Sequence, residues 1–113
     1  MQEINALLQK YNHFKYEQIR HIEQREDGSK IVTLVVLDEN GEDQNTIKLT
    51  FSGITASKIL VNDVLSFLDM GDGITLIEEN GLYGFATGHG TAMLHVNSAP
   101  LYIIASELTI EEN

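Results

Sequence analysis

Two histidines lie six residues apart in the stretch GHGTAMLHV, at positions 89 and 95. If the stretch is one strand, His89 and His95 face the same side, because side chains alternate along a strand. With a nearby carboxylate they would then form a two-histidine, one-carboxylate metal site. The flanking glycines instead favour a turn at His89. His95 would then lie on a strand, with hydrogen-bond partners within the fold for its imidazole ring. We favour this second interpretation and predict no cofactor, because a metal site needs several convergent ligands.

Three other patterns lack residues that their chemistry requires. The acidic stretch 38–43 could begin a helix–loop–helix calcium loop at Asp38. Position six of such a loop requires Gly and here holds Asp43, and position twelve requires Glu and here holds Leu49. The glycine-rich stretch 84–91 has no Lys and has the wrong spacing for a phosphate loop. No Ser stands in a G-x-S-x-G elbow. We therefore predict that the protein is not an enzyme.

The charge of the chain is distributed unevenly. All seven Lys and Arg residues lie within positions 1–58, beside nine acidic residues, whereas positions 59–113 hold eight acidic residues and no Lys or Arg. Nucleic-acid binding requires cations that neutralise phosphates, so the second half excludes that function. An acidic surface attracts basic partners, although net negative charge also serves solubility alone.

The acidic second half contains the candidate partner-binding residues. We expect its carboxylates to cluster on adjoining turns and to meet a basic protein partner. Tyrosine is a typical anchor residue of protein interfaces, so we add Tyr83 to these carboxylates. The predicted partner-binding residues are Asp69, Asp72, Glu78, Glu79 and Tyr83.

Apolar periodicity and turn dipeptides predict the elements that position these residues. Residues 2–12 carry one apolar stripe at helical spacing, and a second helix or a strand-plus-turn is expected near 58–69, after Gly53 interrupts the preceding strand. The dipeptides Asp27-Gly28 and Asn80-Gly81 predict tight hairpin turns, as does the Asn-Gly at 40–41. Predicted strands lie near 16–25, 31–37, 47–52, 74–78, 82–86, 92–96 and 101–110.

This order of elements predicts one α+β domain over residues 1–113. Its expected architecture is a short N-terminal helix with a curled, predominantly antiparallel sheet or a small β-sandwich. Most of the eight aromatic residues fall where a core is expected. The start of the chain lacks the apolar segment of a signal peptide, and no apolar run approaches membrane-spanning length. We expect a soluble cytoplasmic protein without cysteine chemistry and without a membrane partner.

Several of these features together resemble the small acidic immunity proteins of bacterial toxin systems. They are the N-terminal helix, the strand TIKLTFSGI, the hairpin ENGLYGF and the closing strand LYIIASELTIEE. The resemblance implies an intracellular protein that binds and blocks one toxin, often a nuclease with a basic surface. It carries over no individual binding residue, because such families place them on variable surfaces.

Two other functions remain open from the residues alone. One is a metal- or small-ligand-binding domain that uses His89 and His95. The other is a homo-oligomeric subunit, for example a homodimer paired through exposed strand edges.

Overall fold

The structure, a computed structural model, describes residues 2–88, 90 and 92–112. Helix α1 (Gln2–Lys10) buries Ile4, Leu7 and Leu8, which confirms the predicted apolar stripe. Two further helices are short, α2 (Asn62–Leu65) and α3 (Met93–Asn97). No helix of the described ranges has the length and apolar character needed to cross a bilayer.

Six antiparallel strands form one open sheet. They are β1 (Gln18–Gln24), β2 (Lys30–Leu37), β3 (Asp43–Lys58), β4 (Ile74–Glu79), β5 (Leu82–Thr87) and β6 (Tyr102–Glu112). The order in the sheet is β1-β2-β3-β6-β5-β4, so two three-stranded meanders join through their third strands. This arrangement confirms the predicted α+β class, as a single curled sheet rather than a sandwich.

The turn dipeptides fall between strands as predicted. Asn80 and Gly81 connect β4 to β5 directly, with φ values of 56° and 80°. Positive φ at both central residues is the backbone geometry that matches the twist of a tight hairpin. The turn at Asp27-Gly28 is longer than predicted, because Arg25 and Ser29 also lie outside the two strands and are hydrogen-bonded to each other.

Apolar side chains cover the two faces of the sheet to different extents. The main core lies between one face and α1, and includes Phe14, Phe51 and Phe85. A smaller cluster on the other face packs α3 against β5 and β6. Gly84 allows this packing, since a Cβ there would lie 2.7 Å from the Met93 sulfur.

Three sequence predictions for individual elements differ from the structure. Gly53 does not end β3, because its φ of 64° and an adjacent bulge let the strand continue to Lys58. That extension leaves only the four residues of α2 as regular helix within the predicted segment 58–69. The predicted strand 92–96 is wrong, since Met93–Asn97 is helical and buries Val96 against the sheet.

The segment after α1 closes the gap between the two edges of the curled sheet. Asn12, His13 and Phe14 have φ values of 52°, 58° and 59°, so they form a left-handed turn. The Tyr16 N–H then donates to the Met70 carbonyl oxygen at 2.8 Å. The loop before β1 therefore lies against the loop before β4, without any strand pairing between them.

Candidate partner-binding site

The predicted acidic cluster is divided between the two ends of β4. Asp69 and Asp72 precede the strand, whereas Glu78 and Glu79 end it. Ile74 and Glu78 are four positions apart along the strand, a distance of roughly 13 Å. The structure therefore does not bring the four carboxylates together, and two separate surfaces have to be considered.

At the hairpin end of β4, both glutamates have partners within the fold. Glu78 lies opposite Tyr83 across the hairpin, in the register of β4 and β5. Partial burial, and then the negative charges of Glu78 and Glu3, raise the pKa of Tyr83. Glu79 accepts the Met93 N–H at 2.8 Å, at the start of α3. These contacts give Glu78, Glu79 and Tyr83 structural roles.

At the other end of β4, an exposed tyrosine shares a groove with one of the acidic side chains. We call this surface the corner, which consists of residues 68–73 and Tyr16. Asp69 and Asp72 are exposed, and Asp69 accepts the Gly71 N–H at 2.9 Å. Tyr16 is 80% exposed and, with Asp69, lines a shallow groove of about 270 Å³. The corner thus combines negative charge with an accessible aromatic ring.

Beside the corner, three apolar side chains form an exposed ridge, which consists of Val61, Val64 and Phe67. The Val64 N–H donates to the Val61 carbonyl, and the Phe67 N–H donates to the Val64 carbonyl. Val61 is the extended residue before α2, and these i to i+3 hydrogen bonds place the three residues in successive turns of one short segment. Phe67 is 84% exposed, so burial against a partner would contribute about 1.5–3 kcal/mol.

Asn62 holds the ridge against the edge of the sheet. The Ile22 N–H donates to Asn62 Oδ1 at 2.8 Å, and Asn62 Nδ2 donates to the Ile22 carbonyl at 3.3 Å. The side-chain amide therefore takes the place of a neighbouring strand along β1. On the inner side of the same turn, Leu65 is buried in the core. These contacts fix which side of the turn faces solvent.

The ridge and Tyr16 were not predicted as site residues. The sequence places them among aromatic and apolar residues that were expected to pack in the core. One signal was present, because seven of the ten residues from 59 to 68 are apolar. A single face of one short helical segment cannot bury that many side chains, so some of them had to remain exposed.

Only part of the histidine hypothesis falls within the described residues. His89 lies outside them. His95 is an exposed residue of α3 rather than of a strand, so the alternation that would align the two rings does not apply. Within the ranges that the structure describes, no group of three His, Cys, Asp or Glu side chains could hold a metal ion.

A second concave surface lies between α1 and β6. It is a groove of about 420 Å³ whose lining includes Leu7 and Ile110. At one end, Lys10 and Tyr11 both donate hydrogen bonds to Glu112. The hydrogen bond from Lys10, followed by that from Tyr11, lowers the pKa of Glu112. These contacts tie the C-terminal strand to the first helix.

No protein-family model, curated protein or solved structure matches this chain. The geometry of the corner and the ridge, together with the charge distribution, therefore has to indicate the function.

Proposed function

We propose that the protein is a non-enzymatic cytoplasmic binding protein that recognises a basic protein, in the manner of an immunity protein that neutralises a basic toxin. The observation that carries this proposal is the charge distribution. From Ile59 to the last residue the chain has eight carboxylates and no Lys or Arg. A surface of this kind attracts and orients a basic partner and repels an acidic one.

Of the seven cations in the first half, Lys15 lies beside the corner, next to Tyr16, and three others are paired elsewhere in the fold. Lys10, Arg20 and Arg25 are each engaged in an ion pair, with Glu112, Asp43 and Glu23 respectively. Asp69 and Asp72 are exposed at the corner. A basic surface that binds phosphate groups would also bind exposed carboxylates, so a nuclease would fit this chemistry.

The decisive experiment is a calorimetric titration with the purified protein that the neighbouring gene encodes. We expect that protein to be basic and to bind, with an affinity that falls as NaCl rises from about 0.05 to 0.5 M, because salt screens exposed charges. A neighbouring product that is not basic, or an affinity independent of salt, would contradict the proposal.

A matched pair of variants locates the contribution of charge. Asp69→Asn with Asp72→Asn removes two negative charges from the corner while keeping an oxygen acceptor at position 69. Glu39→Gln with Glu42→Gln removes two charges from the exposed turn between β2 and β3. We expect the first pair to weaken binding more than the second. Equal effects would show that only net charge matters and would remove the corner from the interface.

A further inference from the structure

The ridge exposes more contiguous apolar surface than isolated surface residues do. Val61, Val64 and Phe67 follow one another in successive hydrogen-bonded turns, and all three side chains are exposed. Their spacing gives a ridge on the order of 12 Å long. Single exposed apolar residues are ordinary in proteins, whereas a contiguous row beside polar groups is typical of interaction sites.

The charges around the ridge indicate the chemistry of its partner. Asp63 lies on the ridge turn, and Asp69 and Asp72 follow it in the corner, all exposed. No Lys or Arg occurs between residues 59 and 73, Lys58 precedes the ridge in sequence, and Lys15 lies next to Tyr16 at the corner. An apolar row flanked by carboxylates complements an apolar residue flanked by cations.

We propose that the ridge is the docking anchor for a segment of the basic partner that presents apolar residues flanked by Lys or Arg. This inference rests on the proposed function and specifies its contact surface. Phe67 is the anchor, because an exposed aromatic ring offers the largest area for burial. Val61 and Val64 exclude water beside it, and Asn62 acts as a positioning residue through its two hydrogen bonds to Ile22.

The test is an NMR titration of the isotope-labelled protein with an amphipathic helical peptide made of Leu and Lys. A peptide of equal charge, with Ser in place of Leu, measures the purely electrostatic part of binding. We expect saturable shifts concentrated at Tyr16 and residues 61–72 with the Leu–Lys peptide. With the Ser–Lys peptide we expect markedly weaker binding.

Two single variants provide the comparison within the protein. Phe67→Ala should weaken binding of the Leu–Lys peptide about tenfold, the usual effect of removing an anchor residue. Leu94→Ala is the matched control, since Leu94 is 77% exposed but lies on α3 at the other face of the sheet. It should leave the affinity unchanged. Both side chains are exposed, so both variants should keep the fold, which the dispersion of the spectra checks.

The possible outcomes separate this inference from the proposed function. Equal binding of both peptides, unchanged by Phe67→Ala, would overturn the anchor and leave attraction of basic partners intact. Absence of binding by either peptide would count against both. A solution mass of two chains that returns to one chain in Phe67→Ala would show that the ridge binds a second copy, which also overturns the inference.

Discussion

Gly73 stands where the loop before β4 passes closest to the turn after α1. A Cβ at this position would lie 2.0 Å from the His13 carbonyl oxygen, and the φ of Gly73 is 72°. Any side chain here would therefore force the two loops apart. Because Tyr16 is hydrogen-bonded to Met70 in the same contact, the shape of the corner depends on this glycine.

The contribution of that close approach can be measured by comparing two glycines. Gly81 has a similar φ of 80°, but a Cβ there would meet nothing within 4 Å. We expect Gly81→Ala to lower the free energy of unfolding by about 1–2 kcal/mol, the cost of a left-handed backbone. Gly73→Ala should cost clearly more, since the steric clash adds to the same backbone term. Urea denaturation of both variants checks this, and equal losses would contradict the described contact.

The contacts of Glu112 predict part of the stability that the fold loses at acidic pH. Hydrogen bonds from Lys10 and Tyr11 lower its pKa below that of the unfolded chain, about 4.3. A lowered pKa stabilises the fold above that value, and the stabilisation is lost as pH falls through the folded pKa.

The corresponding variant is Glu112→Gln, which cannot lose a charge on acidification. We expect its melting temperature to fall less than that of the native protein between about pH 5 and pH 3, by a few degrees at most for an exposed group. Glu107→Gln, another exposed position on β6, is the control. If the melting temperatures of Glu112→Gln and the native protein fell in parallel with pH, the Glu112 carboxylate would not contribute to this acid sensitivity.

At the scale of elements, α2 is important because it covers the edge of β1. An uncovered strand edge presents unpaired N–H and C=O groups that can pair with another chain. Asn62 satisfies both backbone groups of Ile22 through its side-chain amide. It therefore opposes the edge-paired homodimer that remained open from the sequence.

This role gives a prediction for Asn62→Ala. We expect a loss of about 1 kcal/mol of unfolding free energy, since the two hydrogen bonds are lost. We also expect concentration-dependent self-association, visible by size exclusion with light scattering. Asp63→Ala alters the adjacent exposed residue and should do neither. A monomeric Asn62→Ala protein with native stability would show that the edge is protected in another way.

The elements that were predicted correctly are those encoded by local residue patterns. The stripe of α1 and the Asn80-Gly81 hairpin depend on residues adjacent in sequence, and both are present in the structure. The segment 92–96 has a composition compatible with a strand, yet Met93–Asn97 is helical, and Gly84 leaves room for this helix on the sheet. Such a contact joins residues far apart in the chain, which local patterns do not encode.

The candidate site was predicted only in part, for a related physical reason. Charge can be counted from the sequence, and Asp69 and Asp72 are exposed as expected of binding residues. Exposure of Phe67 and Tyr16 could not be deduced, because the same apolar residue is suited to a core or to an interface. Which one it enters depends on how the whole turn is held, here by Asn62 and Leu65.

At the scale of the whole molecule, the arrangement of charge follows the arrangement of strands. The strands of the first meander contain cations, whereas the second meander contains none. The central pair β3 and β6 joins the two, with Lys48 opposite Glu111. A basic partner of the kind proposed would therefore meet one half whose strands carry both charges and one half whose strands carry no cation, which favours a single orientation of approach.

The same topology predicts how the molecule opens. The strands β3 and β6 pair along most of their length, from Ile47 opposite Glu112 to Lys58 opposite Tyr102, and form the contact through which the two meanders join. Breaking this pair exposes both halves of the core, whereas an edge strand can separate with a smaller loss of contacts. Amide hydrogen exchange should therefore be slowest in the centre of β3 and β6, at a rate set by global unfolding, and faster along β1 and β4.

In Asn62→Ala, exchange in β1 should accelerate more than exchange in β4. If exchange at the edge strands were as slow as in the central pair, the two meanders would open together and β3–β6 would not be the last contact to break.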